Sequence, residues 1–192
     1  IEATPPFLKG KTIEKLIKDG TLTHEFYNLQ AKSLPLDRNL YLHQEESILK
    51  ICKEKRNIVV ATGTGSGKTE AFMIPILNYL LQQKCENKLT PGVRALLLYP
   101  MNALANDQIK RLRELLKNCP DITFGIYTGE TEEKYQAGFE KYERMYQQKP
   151  LPNELISREQ MKANPPHILL TNYAMLEYLM LRPADNIFFQ GI

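Results

Sequence analysis

VATGTGSGKTEAF, residues 60–72, begins within the apolar run NIVVA at 57–61 and leads into a segment of helical character. Its three glycines, Gly63, Gly65 and Gly67, have no Cβ, so successive backbone N–H groups can curl around an anion. A helix that begins directly after them adds the positive end of its dipole. A strand, a glycine-rich loop and a helix in this order predict a phosphate-binding loop.

The side chains that follow the glycines have separate expected roles. Lys68 is expected to reach the β- and γ-phosphates of a bound nucleotide, and the Thr69 hydroxyl is expected to hold Mg²⁺. These two residues are the candidate catalytic residues, and Thr69 is the candidate metal ligand. The loop and the first helical turn supply most of the candidate ATP site: Thr64, Gly65, Ser66, Gly67, Lys68, Thr69 and Glu70.

Short apolar runs alternate with helical segments on the carboxyl side of the loop. Strands are expected at 57–61, 94–100, 122–128 and 167–171, and helices at 43–54, 67–82, 102–118 and 172–181. Short continuous apolar runs separated by helices are typical of a parallel sheet covered on both faces. The sequence therefore predicts an α/β fold of the P-loop NTPase class, with a doubly wound, mainly parallel sheet.

A charged, tyrosine-rich insertion interrupts the alternation at about 129–166. Its aromatic residues recur at helical spacing: Tyr135, Phe139, Tyr142 and Tyr146. This spacing favours an amphipathic helix that packs on the body of the protein; an insertion whose tyrosines stack on nucleic acid is the alternative. The proline-containing segment after that helix predicts a surface loop.

Two other segments lie outside the sheet pattern. Residues 1–40 are predicted to form an N-terminal helical lead-in, with short helices at 12–18 and 23–32, before a domain at 41–192. In IKRLRELLK, residues 109–117, the apolar side chains form one stripe of a helix. The basic side chains between them are predicted to form a solvated face: Lys110, Arg111, Arg113 and Lys117.

Composition excludes little. The 192 residues include 25 Lys and Arg against 22 Asp and Glu, a net charge of +3, which permits a nucleic-acid partner without arguing for one. The three cysteines are widely spaced, which favours free thiols in a reducing compartment over a disulfide framework or a zinc site. No long apolar span and no signal-peptide pattern occurs, so we expect a cytoplasmic protein without a membrane partner.

Four further segments, in order, make the chain similar to the superfamily 2 DEAD/DEAH-type helicases. LYLHQEESI at 40–48 resembles the Q motif, which implies that Gln44 pairs with the adenine edge and that Tyr41 packs near it. An exposed first-turn position for Gln44 is the alternative. The other three segments are LYPMNALANDQ at 98–108, YTGET at 127–131 and LLTNYAMLEY at 169–178, which resemble motif Ia, the GG-type turn and motif Ib.

The last three segments follow expected strands, at the edge where open α/β sheets bind their ligands. Backbone amides and helix N-termini there would face nucleic-acid phosphates, with Asn102 as the expected cap of one helix and Thr171 and Asn172 of another. The candidate nucleic-acid contacts are Pro100, Met101, Asn102, Thr128, Gly129, Thr171 and Asn172. A capped helix after a strand, with no ligand, is the alternative for each segment taken singly.

The wording of these motifs is most similar to the YprA/MrfA-like branch, which includes DNA-repair helicases and the helicase subunits of anti-phage systems such as Druantia and DISARM. The resemblance implies a RecA-like domain that uses ATP and Mg²⁺. It also implies single-stranded or partly duplex DNA, rather than RNA, as the track. The remainder of a helicase chain and repair or defence proteins are the implied partners.

The helicase pattern next requires a strand that ends in Asp-Glu, and residues 182–192, RPADNIFFQGI, do not supply it. The sequence is therefore expected to be an incomplete first RecA-like domain without the motif II strand, in which hydrolysis by the chain alone is negligible. Two alternatives remain. One is another P-loop phosphotransferase; the other is a nucleotide- or nucleic-acid-binding module or scaffold without catalysis.

Overall fold

The computed structural model describes residues 7–189, except for the side chain of Ala103. The chain divides between Asn87 and Lys88 into two compact units, called here the first and the second unit. No helix among the described residues is long and apolar enough to cross a membrane.

The first unit packs helices beside a small antiparallel ribbon. Its elements are β1 (Lys9–Thr12), α1 (Ile13–Lys18), a 3₁₀ helix (His24–Asn28), β2 (Asn39–Tyr41), α2 (Leu42–Cys52) and α3 (Lys68–Cys85). Strands β1 and β2 pair antiparallel, and α2 packs against α3. Buried Ile48, Ile74 and Leu77 belong to the core of this unit. The helix expected at 23–32 is shorter because Gln30 has a φ of 47°, which a right-handed helix does not allow.

The prediction of a strand at 57–61 is wrong. No strand is formed between Cys52 and Lys68, and the Val59 side chain is 96% exposed. A β-strand is stabilised by hydrogen bonds and side-chain pairs with a neighbouring strand. Since this run has no strand partner among residues 7–189, its β-branched sequence alone does not make it a strand.

The second unit contains a parallel sheet, as predicted for an α/β fold. Its strands are β3 (Ala95–Tyr99), β4 (Phe124–Tyr127), β5 (Glu154–Leu155) and β6 (Ile168–Asn172), in the spatial order β3-β6-β4-β5. Its helices are α4 (Asn102–Leu116), α5 (Tyr135–Tyr146), α6 (Arg158–Ala163) and α7 (Tyr173–Leu181), followed by a 3₁₀ helix (Pro183–Phe189). All three strand pairings are parallel.

The register of the sheet brings three strand ends to one edge. Tyr99 of β3 pairs with Asn172 of β6, and Tyr127 of β4 pairs with Thr171. The central strand β6 is buried from Ile168 to Thr171, which explains its continuous apolar sequence. Residues that follow these strands therefore lie close together at the carboxyl edge.

The prediction of a surface loop after α5 is also wrong, because this segment contains β5 and α6. The buried side chain of Asn153 explains why the segment is ordered. Its amide nitrogen lies 3.2, 3.1 and 2.9 Å from the carbonyl oxygens of Leu116, Cys119 and Ile122. Asn153 thereby ties the segment to the end of α4 and places β5 beside β4.

Arg113 corrects the prediction of a fully solvated basic face on α4. Its guanidinium forms hydrogen bonds of 2.8 and 2.9 Å with the Glu154 carboxylate, and it lies 4.8 and 4.0 Å from the ring centroids of Tyr142 and Tyr146. The Tyr142 hydroxyl donates to the same carboxylate at 2.9 Å. Burial, and then the charge of Glu154, raise the pKa of Tyr142 well above its usual value. These four residues are called the arginine–tyrosine cluster below.

The cluster also shows which tyrosines of the insertion are buried. Tyr142 is buried and Tyr146 half-buried against Arg113, whereas Tyr135 is 42% exposed. Tyr142 and Tyr146 therefore pack within the second unit, as the helical spacing indicated, while Tyr135 at the other end of the stripe stays accessible. The physical reason for Arg113 to be inside is the buried carboxylate of Glu154, which requires a compensating charge.

Candidate nucleotide and nucleic-acid sites

The glycine-rich loop ends in a helix N-terminus. Gly65 and Gly67 have φ values of 75° and 73°, a left-handed conformation that side-chain-bearing residues rarely adopt. Gly67 is the N-cap of the 18-residue helix α3, and no side chain caps this end. Thr64 and Gly65 are exposed. The loop thus presents its backbone and the positive end of α3 in the way that anion binding requires.

Lys68 lies across this loop. Its Nζ donates to the carbonyl oxygens of Thr62 at 2.9 Å and Gly63 at 2.7 Å. Within the loop, Thr62 Oγ1 and Ser66 Oγ are 2.5 Å apart, and Ser66 is fully buried. The lysine charge is therefore already at the loop, where a phosphate oxygen can replace the two carbonyl acceptors.

Thr69 and Glu70 occupy the first turn of α3 beside Lys68. Thr69 is half-buried, whereas Glu70 is buried and forms an ion pair of 3.3 Å with Arg38. No cluster of three or more His, Cys, Asp or Glu side chains that could hold a metal occurs in residues 7–189. The Thr69 hydroxyl suits Mg²⁺, which typically takes few protein ligands together with phosphate oxygens and water.

The N-terminal turn of α2 holds the last two carbonyls of the loop. Gln44 accepts a hydrogen bond from the Tyr41 backbone N–H at 2.8 Å and donates to the Gly67 carbonyl at 2.8 Å. His43 Nε2 lies 2.9 Å from the Ser66 carbonyl oxygen. The amide of Gln44 retains one donor and one acceptor position beyond these two bonds. It can therefore still pair with a base while it stays in place.

A cavity of about 530 Å³ opens beside this turn. It is lined by Lys9, Asp37, Arg38, Asn39, Tyr41, Gln44, Gly65, Gly67 and Glu70. Its volume is in the range of small-molecule sites, and it contains Tyr41 and Gln44 together with two glycines of the loop. Sequence reasoning missed Lys9 and Arg38, because no motif includes them and the fold alone brings them to this cavity. It also gave no role to His43, which lies within the segment that resembles the Q motif.

The second candidate site lies at the carboxyl edge of the sheet in the second unit. Asn172 Nδ2 donates to Asn102 Oδ1 at 2.8 Å, and Asn102 Nδ2 donates to Glu130 Oε1 at 2.8 Å. Asn172 Oδ1 also accepts from the Met175 backbone N–H, which caps α7. The three segments that resemble motif Ia, the GG-type turn and motif Ib are thus linked by side-chain amides.

The remaining nucleic-acid candidates differ in what they expose. Met101, not Asn102, is the N-cap of α4, and the Met101 side chain is 62% exposed. Thr171 is fully buried and donates to the Tyr127 carbonyl at 2.7 Å, while the Thr128 hydroxyl accepts from the Glu130 N–H. Pro100 and Gly129 are exposed. Thr128 and Thr171 therefore shape this edge from inside, and the exposed groups are those beside them.

Comparisons with known proteins show which proteins the chain resembles. The family model "DEAD/DEAH box helicase" matches residues 41–188. The chain is 29% identical over 272 residues to the Druantia protein DruE of Escherichia coli (strain UMEA 4076-1), covering 99% of this chain and 15% of that protein.

Two solved structures share the fold. The DUF1998 helicase MrfA bound to DNA and AMPPNP matches 98% of this chain and 21% of its own, with a TM-score of 0.64 and 23% identity. The DEAD-box helicase Mss116 bound to ssRNA and UDP-BeF matches 96% of this chain and 32% of its own, with a TM-score of 0.63 and 20% identity. The chain therefore spans less than a third of the length of each of these relatives.

Proposed function

Since the chain belongs to the DEAD/DEAH box helicase family, we propose that it is the ATP-binding part of a superfamily 2 DNA helicase or translocase. The observation that carries this proposal is the loop at 62–67, with Lys68 Nζ at its centre and Gln44 on its last carbonyl. The relationship to DruE supports a role in anti-phage defence, and the likeness to MrfA fits DNA as the track.

In this proposal the residues of the first unit bind and orient ATP. The exposed loop amides and the N-terminus of α3 hold the phosphates, and Lys68 exchanges its carbonyl acceptors for phosphate oxygens. Gln44 pairs with the adenine edge, with Tyr41 beside it. Mg²⁺, held by the Thr69 hydroxyl, would neutralise the charge that develops on the phosphates.

The residues of the second unit hold the nucleic-acid strand in this proposal. The Asn102–Asn172 pair fixes the N-terminal ends of α4 and α7, and backbone amides there contact phosphates without reading sequence. DNA is favoured over RNA as the track. No disulfide links Cys52, Cys85 and Cys119, all of which lie among the described residues, and this fits a reducing, cytoplasmic setting. The remainder of the helicase and repair or defence proteins are the proposed partners.

Equilibrium binding of ATP tests the nucleotide site. In the 192-residue chain, Lys68→Ala is expected to weaken ATP binding roughly 10- to 150-fold, because hydrogen bonds to charged groups contribute about 1.5–3 kcal/mol each. The matched control is Lys18→Ala, since Lys18 pairs with Glu14 on the surface. Equal affinities of the two variants would contradict the proposed role of the loop.

Competition between oligonucleotides tests the track. Single-stranded DNA is expected to bind the chain with an affinity that falls as salt rises, because the proposed contacts are with phosphates. Single-stranded RNA of the same sequence is the competitor, and Asn172→Ala is expected to weaken DNA binding. Preference for RNA would exclude DNA as the favoured track while leaving the ATP site untouched.

A further inference from the structure

His43 lies beside the phosphate loop and has no part in the function proposed so far. A carbonyl oxygen carries no proton, so the 2.9 Å contact between His43 Nε2 and the Ser66 carbonyl means that Nε2–H donates. Ser66 lies at the turn of the loop, directly before the left-handed Gly67. The imidazole therefore fixes the orientation of the Ser66–Gly67 peptide.

The imidazole is itself held in place by neighbouring rings. Its centroid lies 5.7 Å from that of Tyr41, with an interplanar angle of 18°, and 5.5 Å from that of Phe7, edge to face. Phe7 and Tyr41 are also in contact, with centroids 5.2 Å apart. Stacked and edge-on contacts of this kind limit rotation of the ring. His43 is thus a fixed donor rather than a mobile surface group.

Two adjacent side chains of α2 consequently donate hydrogen bonds to two adjacent carbonyls of the loop, His43 to Ser66 and Gln44 to Gly67. Each carbonyl that is held on the α2 side turns the N–H of the same peptide toward the other side. These are the N–H groups of Gly67 and Lys68. These two hydrogen bonds therefore orient two backbone amides toward the place where the loop and α3 receive an anion.

We propose that His43 is a positioning residue of the phosphate loop: its Nε2–H holds the Ser66 carbonyl so that the Gly67 amide faces the bound phosphates. This proposal rests on the proposed ATP site and adds a residue to it. The anion concerned is a di- or triphosphate in the loop, and His43 acts on it only through the loop backbone.

Binding of inorganic pyrophosphate and ATP tests this role. His43→Phe keeps a ring in the stack and removes the donor, and it is expected to weaken both ligands about 2- to 12-fold, as for one lost hydrogen bond. His43→Gln carries an N–H donor at a reach similar to Nε2 and is expected to restore affinity to within about twofold of the original. His24→Phe is the matched control, because His24 is exposed and its ring partner is Tyr27.

Hydrogen–deuterium exchange without nucleotide provides a readout that does not need a bound ligand. The peptide covering residues 62–68 is expected to exchange faster in His43→Phe than in the original chain, and to be unchanged in His24→Phe. Thermal unfolding of all variants separates loop release from general destabilisation. A loss of binding that His43→Gln does not reverse, together with a lowered Tm, would show a purely structural role and overturn the proposal.

The two proposals fail in different ways. If the original chain binds ATP and His43→Phe binds it equally well, the positioning role is refuted and the ATP site stands. If the original chain binds neither ATP nor pyrophosphate, the ATP site is refuted, and the exchange of residues 62–68 then shows by itself whether His43 holds the loop. Unchanged exchange in His43→Phe refutes the positioning role in either case.

Discussion

The phosphate loop and the arginine–tyrosine cluster are both polar sites held by short contacts, but their partners are separated very differently along the chain. Lys68 binds carbonyls only six and five residues before it. Arg113 binds Glu154, which is 41 residues away. The lysine contacts of the loop are therefore encoded in consecutive residues, and only its last two carbonyls depend on the distant His43 and Gln44. The cluster, in contrast, exists only once the second unit has folded.

The cluster also depends more strongly on burial. The side chains of Arg113 and Glu154 are 11% and 3% exposed, so each charge needs the other. The loop instead leaves Thr64 and Gly65 exposed to receive a ligand. Changes in the cluster are therefore expected to appear in the free energy of unfolding, and changes at the exposed positions of the loop mainly in ligand affinity.

Arg113→Ala gives the largest expected effect. It leaves Glu154 buried without its cation, which is expected to lower the free energy of unfolding of the chain by about 3–5 kcal/mol in urea denaturation. Arg144→Ala, an exposed arginine on α5, is the control and is expected to change it by less than about 0.5 kcal/mol. If the two variants were equally stable, the cluster would not be a buried, coupled unit.

Gly67→Ala gives the next largest effect and tests the loop. The new Cβ would lie 2.4 Å from Gln44 Nε2, at a φ of 73°. An alanine in this left-handed backbone conformation is expected to lower the free energy of unfolding by about 1–3 kcal/mol. Displacement of Gln44 is expected to weaken ATP binding as well. Gly63→Ala is the matched control, because a Cβ there meets no atom within 4 Å.

Stability and ATP affinity measured on both glycine variants distinguish the causes. Gly63→Ala is expected to leave the free energy of unfolding nearly unchanged. If Gly67→Ala also left ATP binding unchanged, the contact between Gln44 and Gly67 would have no part in the nucleotide site, and the loop would tolerate a rearranged backbone.

The same comparison explains which features the sequence could predict. The loop, α3 and three strands of the second unit, β3, β4 and β6, follow from local patterns: glycine spacing, apolar runs and helical periodicity. A local pattern cannot supply a partner, so 57–61 was predicted as a strand although no described strand pairs with it. The sequence pattern of α4 likewise predicts that Arg113 faces solvent, because its partner Glu154 lies 41 residues away and is not part of that pattern.

The candidate sites divide in the same way. Lys68 and Thr69 lie where the motif predicts, at the start of α3, and the motif Ia and Ib segments meet through Asn102 and Asn172. The positioning role proposed for His43 could not be predicted from its residue type, because it depends on a contact with a carbonyl 23 residues away. Contacts from side chain to backbone across such separations depend on the fold and not on residue type.

His167 gives the smallest expected effect and extends the comparison to pH. Its ring also joins distant segments: Nδ1 accepts from the Thr123 N–H at 2.9 Å, and Nε2 lies 3.2 Å from the Thr90 carbonyl, 44 and 77 residues away. Burial lowers the pKa of His167 below its usual value of 6.5; the contact with Thr90 opposes this, and the charge of Arg94 adds to it. This imidazole is therefore harder to protonate in the folded chain than in the unfolded chain.

The sign of the pH effect follows from that shift. Below about pH 6.5 the unfolded chain takes up a proton that the folded chain resists, so the contribution of His167 to stability is complete above this pH and is lost as the pH falls toward its lowered pKa. His167→Asn keeps an acceptor near Nδ1 but does not titrate. Urea denaturation between pH 8 and pH 5 should give a shallower pH dependence for this variant, since all other titrating groups are unchanged. Parallel curves would mean that His167 is protonated as easily in the folded chain as in the unfolded one, and that its long-range contacts, unlike those of Arg113, do not depend on charge.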